Sequence, residues 1–132
     1  RMANNYTFVR LYLHEYLPTV SRVLWLDSDT IVRADVAPLF RLAMRHPIAA
    51  ARSTVPMWSM FAWRFHVPHA RRYFKADSPS FNAGVLLLDL ERWRSGNLSR
   101  SLEAWLQVTK GTLSDQAVLI LEFQGRFDVL DW

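Results

Sequence analysis

An α/β architecture on a mixed, mostly parallel sheet is what this sequence predicts, from three observations. Two short, uniformly apolar runs, residues 23–26 (VLWL) and 85–88 (VLLL), read as strands covered on both faces. The stretches around and between them carry apolar residues at helical spacing, with caps or breakers at their ends. Finally, 51% of the 132 residues are hydrophobic, enough for the core of one domain.

Taken in order, the stretch YTFVRLYLHEYLP has an apolar stripe at Phe8, Val9, Leu11, Tyr12, Leu13, Tyr16 and Leu17, closed by Pro18, which predicts a helix over about 6–17. The strand 23–26 follows. Asp35 is placed to cap a helix over VAPLFRLAMR, whose Pro38 is tolerated in the first turn. The segment PIAAAR, from Pro47, reads as a short strand. Residues 52–80 have no clean period and contain Pro56, Pro68 and Pro79 among several aromatics, a long irregular excursion of the kind that often serves function. The strand 85–88 leads into a helical turn at LERWR, a break at Ser95-Gly96-Asn97 and a helix in SRSLEAWLQV. Ser114 caps a further helix, DQAVLILEFQ, which Gly125 ends, and RFDVLDW forms the last strand.

Composition excludes several classes. With no cysteine there is neither a disulfide framework nor a thiolate metal site. No apolar run approaches the roughly 20 residues of a membrane span, and no signal peptide opens the chain. The net charge of +4 is modest and its arginines are scattered, which suits a phosphate-bearing partner but argues against nucleic acid. The chain begins at Arg1 and ends inside an apolar run, and is read as an internal piece of a longer protein.

The chemistry concentrates at RVLWLDSDTIVRAD. In an extended segment, residues i and i+2 point the same way, so Asp27 and Asp29 would present their carboxylates together. Two such charges away from bulk water repel unless a cation lies between them. Oxygen-only ligands favour Mg2+ or Mn2+, and a site at the carboxyl end of a strand is where open α/β sheets bind ligands. An isolated Asp-x-Asp is common by chance, but carboxylates beside a strand core are costly without compensation.

Four motifs in order, YTFVRLYLHEYLP through RVLWLDSDTIVRADVAPLF, FNAGVLLLDLERWR, SDQAVL and GRFDVLDW, resemble glycosyltransferase family 8 over nearly the whole chain except residues 52–80. That resemblance implies a GT-A, Rossmann-like nucleotide-diphospho-sugar transferase fold. It implies a retaining, metal-dependent transfer of a hexosyl unit from a UDP-sugar to a carbohydrate or glycoconjugate acceptor, with Mn2+ as cofactor and Mg2+ as the alternative. Asp27 and Asp29 match the metal-binding pair, and Ser28 sits where the family contacts the ribose. Arg10 matches a donor-contacting arginine, although by spacing alone it reads as a surface residue of an amphipathic helix. Asn82 matches a sugar-pocket asparagine with Ala83 and Gly84 allowing close backbone approach; by composition, Asn-Ala-Gly reads as a turn before a strand. Asp115 and Gln116 match the pair that holds the reactive face of the donor sugar, while Ser114 and Asp115 alone read as a helix cap and a first-turn acid.

The chain departs from the family pattern at Ala117, where a second Asp is usual, and at Ile120, where Asn is frequent. As the central part of a single GT-A domain, it would lack the nucleotide-binding first strand and the late segment with the third metal ligand. Any membrane anchor would lie outside it, and the compartment implied is the Golgi lumen for a eukaryotic member or the cytoplasm for a bacterial one. Two rivals remain: a haloacid-dehalogenase-like phosphatase, disfavoured by Ile31 at the position where its motif needs Thr or Val, and a non-catalytic packing module. Elsewhere, His66, His69, Arg71, Arg72 and the aromatics Trp58, Phe61, Trp63 and Phe65 read as packing or surface, and Asp89 and Glu91 as helix-start acids.

Overall fold

The computed structural model describes residues 5–55, 77–109 and 113–131. The excursion residues singled out above, Trp58, Phe61, Trp63, Phe65, His66, His69, Arg71 and Arg72, lie outside these. Asn5–Tyr12 winds as a 3-10 helix and continues into α1 (Leu13–Tyr16), so the helix expected over 6–17 is present but most of it is the tighter form. Phe8 and Val9 are of types that lose side-chain freedom in an α-helix, and Tyr12 supplies no side-chain cap to α1.

Strand β1 (Arg22–Leu26) follows. The helix expected after Asp35 is reduced to a 3-10 turn, Ala37–Arg41. Its N-cap is Val36, which makes no side-chain cap bond, so Asp35 is not the cap; one residue earlier, Asp35 accepts from the Ala37 N–H at 2.9 Å. Its exit is stopped by β1: Arg22 donates to the Phe40 and Leu42 carbonyls at 2.7 and 2.8 Å, taking acceptors that another helical turn would need. Strands β2 (Ile48–Arg52) and β3 (Phe81–Asp89) precede α2 (Leu90–Ser95), α3 (Leu98–Val108), α4 (Asp115–Phe123) and β4 (Asp128–Val129). Asp89 and Ser114 cap α2 and α4 as expected, accepting from Arg92 N and Ala117 N. Asn97, with φ 48°, makes the break between α2 and α3. Among the described residues no helix is long and apolar enough to cross a membrane.

The sheet order is β1-β3-β2-β4. The expectation of a mostly parallel sheet holds for direction, since β1, β2 and β4 run the same way. It does not hold for pairing: β3 enters antiparallel between β1 and β2, and only β2 and β4 pair in parallel. The expectation of β1 as a strand covered on both faces is likewise corrected. Among the described strands it is an edge, with β4 at the other side, and none of its residues is fully buried.

Strand β3 is the buried one. Leu86 and Leu88 face the larger core with Phe81, Trp93 and Leu119, while Leu87 faces a smaller one with Met44, Ala49 and Leu130. Each such fully buried leucine contributes about 1.5–3 kcal/mol. Helix α4 is apolar nearly all round, which fits its burial against the larger core. Ile120, at the position where Asn is frequent in the family, belongs to that core.

Candidate active site

The site forms where β1 ends beside an irregularity in β3. Leu26 pairs with Val85, and the Asp27 N–H donates to the Gly84 carbonyl at 2.8 Å, so Asp27 is still held to β3. On the other side, Ala50 pairs with Leu86 but Ala51 pairs with Asn82, so Ala83, Gly84 and Val85 have no partner in β2. This bulge bends the strand and releases backbone groups. Those of Ala83 are taken by side chains from distant segments: its N–H donates to Gln116 Oε1 at 3.0 Å, and its carbonyl accepts from Arg10 Nη1 at 2.7 Å. The FNAG segment is therefore inside β3 and is not a turn before it.

Arg10 is buried, 6% exposed, which overturns the surface reading of its helix position. Its guanidinium lies between two carboxylates. Nε is 2.7 Å from Asp115 Oδ2, and Nη2 is 3.4 Å from Asp27 Oδ1. The closer contact is a charge pair without hydrogen-bond geometry, because neither Arg10 Nε nor Asp115 Oδ2 makes a hydrogen bond among the described residues. Trp25 carries the guanidinium on its ring face, 4.6 Å from the centroid, and its indole N–H donates to Asp27 Oδ1 at 2.7 Å. Sequence reasoning missed Trp25. The signal was there, since Trp25 and Asp27 are two apart on a strand and share a face.

Asn82 Oδ1 accepts from the Gly84 N–H at 2.7 Å. Asn82 and Gln116 thus spend their side-chain oxygens on the β3 backbone, and their amide nitrogens make no hydrogen bond among the described residues. Gly84 keeps this corner open. A Cβ there would stand 2.9 Å from Asn82 Oδ1 and 3.4 Å from Asp27 Oδ2. The structure therefore brings together Arg10, Asp27, Asn82, Ala83, Gly84, Asp115 and Gln116.

Ser28 and Asp29 are exposed on the turn closed by the Thr30 N–H donating to the Asp27 carbonyl at 3.0 Å. Asp27 thus opens a turn that contains Asp29, and the two are not on one extended segment, so strand alternation does not account for their pairing. Their donor set still fits a hard divalent cation: it is all carboxylate oxygen, Asp27 Oδ2 makes no hydrogen bond among the described residues, and Gly84 leaves room beside it. No group of three or more His, Cys, Asp or Glu able to hold a metal occurs among the described residues. These two acids would thus need oxygens from water or substrate to complete a coordination shell.

This mixed sheet flanked by helices is shared with solved glycosyltransferases of GT-A fold. The galactosyltransferase LgtC, solved with donor and acceptor sugar analogues, superposes with a TM-score of 0.72 at 27% identity, over 95% of this chain and 44% of that one. Mouse xyloside xylosyltransferase 1 superposes with a TM-score of 0.67 at 25% identity, over 97% of this chain and 52% of that one. The sequence model described as Glycosyl transferase family 8 matches residues 1–132, and the chain belongs to that family. Among curated proteins, probable galacturonosyltransferase-like 9 of Arabidopsis thaliana is 31% identical over 147 residues, 98% of this chain and 36% of that protein. The chain thus spans little more than a third of that relative. Family membership removes the phosphatase reading.

Proposed function

We propose that the protein carrying this chain is a metal-dependent retaining glycosyltransferase, moving a hexosyl unit from a UDP-sugar to a hydroxyl of a glycan, polysaccharide or lipid-linked sugar. The observation that carries this reading is the meeting at the β3 bulge of Arg10, Asp27, residues 82–84, Asp115 and Gln116, which come from four separate segments. Asp27 and Asp29 would hold Mn2+ or Mg2+. When bound, such a cation supplies Lewis-acid stabilisation of the charge that grows on a leaving diphosphate.

The rest is work for the chain's own groups. The Asn82 and Gln116 amides, fixed through their oxygens, offer N–H donors to sugar hydroxyl oxygens. Asp115 is paired with Arg10 and buried, so it orients the site and is not a free nucleophile. Retention by same-face attack needs no protein nucleophile, and the leaving phosphate can take the acceptor's proton. Ser28, exposed on the turn, would make the ribose contact that the family resemblance implies.

The test is turnover of a panel of UDP-sugars by the full-length protein with and without Mn2+, with Asp29→Ala as control. Mn2+-dependent turnover that disappears in the variant is expected. Turnover that survives it intact would show the metal assignment to be wrong, and silence with every donor would favour a binding module.

A further inference from the structure

We infer that Trp25 is a positioning residue for the metal-binding carboxylate, an inference that rests on the metal reading above. The indole N–H occupies Asp27 Oδ1 at 2.7 Å, and the ring face carries the Arg10 guanidinium at 4.6 Å. Arg10 Nη2 reaches the same Oδ1 at 3.4 Å. Both donors therefore converge on one oxygen of Asp27 and leave Oδ2, the oxygen beside Gly84, without a hydrogen bond among the described residues.

A carboxylate held this way cannot swing freely about its terminal torsion, which is otherwise broad for Asp. One oxygen is spent inward and the other is presented outward. Outer partners of this kind orient metal ligands, and their removal typically weakens metal binding about 10- to 100-fold. Trp suits the position because one side chain supplies both a donor-only N–H and an aromatic face, so the arginine and the carboxylate are fixed together. A phenylalanine would keep the face and lose the donor.

The experiment uses full-length protein and reads Mn2+ binding directly, from loss of the free Mn2+ signal in electron paramagnetic resonance without donor present. Trp25→Phe and site-specific replacement of Trp25 by 3-benzothienylalanine, an indole isostere lacking the N–H, are compared with wild type and with Asp27→Ala. Thermal melts report any loss of folding. The expected result is an apparent Mn2+ dissociation constant raised about 10- to 100-fold in both Trp25 replacements, with the isostere melting close to wild type. A Mn2+ affinity in the isostere equal to wild type, while Asp27→Ala abolishes binding, would overturn the role of Trp25 and leave the metal reading standing. Unchanged binding in Asp27→Ala would remove the metal reading and this inference with it.

Discussion

Replacing Arg10 by Met keeps the length and apolar stem of the side chain and removes its charge. Asp115 is then stranded. Its side chain is 9% exposed, its Oδ2 makes no hydrogen bond among the described residues, and Arg10 Nε at 2.7 Å is the cation beside it. Removing one partner of a buried pair costs about 3–5 kcal/mol, because the remaining charge is left uncompensated. Asp27 adds little: its side chain is 38% exposed and its contact is 3.4 Å, so that pair is worth under about 1 kcal/mol after solvent screening. The lost hydrogen bond to the Ala83 carbonyl adds about 1 kcal/mol. These terms overlap, and the expected loss is about 3–5 kcal/mol.

The double variant Arg10→Met/Asp115→Asn removes the stranded charge as well, and a coupling of about 0.5–3 kcal/mol is expected between the two sites. Urea denaturation of the full-length protein at pH 7 measures both, provided the transition remains two-state with an unchanged m-value. An Arg10→Met loss below about 1 kcal/mol, or no recovery in the double variant, would mean that water reaches the pair and that the burial argument fails.

Gly84→Ala should act on the site more than on the fold. Its Cβ would crowd Asn82 Oδ1 at 2.9 Å, the far end of a side chain, and break a hydrogen bond worth about 1 kcal/mol. Urea midpoints near wild type with a raised donor KM are expected; an unchanged KM would show that Asn82 does not face the sugar. The Tyr12 phenol is pushed up from 10.0 to about 12 by burial, then by its hydrogen bond to Glu103 and the charges of Glu103 and Glu15. The fold thus favours the neutral phenol, and this contribution is complete below pH 10 and is lost as pH rises through about 12. Wild type should lose stability over that window more steeply than Tyr12→Phe, and parallel curves from alkaline melts would contradict the assignment.

What is local was legible in the sequence. Asp89 and Ser114 cap helices because a cap is a bond between residues three apart, and that spacing is visible in the string. The apolar strand 85–88 was equally available, and the resemblance to glycosyltransferase family 8 put Asp27, Asn82, Asp115 and Gln116 into one set of motifs. The turn after Asp27 was not, since alternation kept Asp27 and Asp29 on one extended segment. The 3-10 form of the first helix and the early stop after Arg41 were not, the second because it depends on an arginine eighteen residues before Phe40.

The site itself was decided in three dimensions. A helical pattern cannot distinguish Arg10 buried between carboxylates from Arg10 in solvent; its contacts with Asp27 and Ala83 span 17 and 73 positions. Likewise the β3 bulge arises from register against β2 and β1, and residues 81–89 alone do not reveal which backbone groups will be left for Arg10 and Gln116. The sequence by itself determined which chemical groups the protein owns and roughly where each element begins. The folded sheet decided which of them touch, because burial and charge pairing are properties of neighbours in space, and here those neighbours lie far apart along the chain.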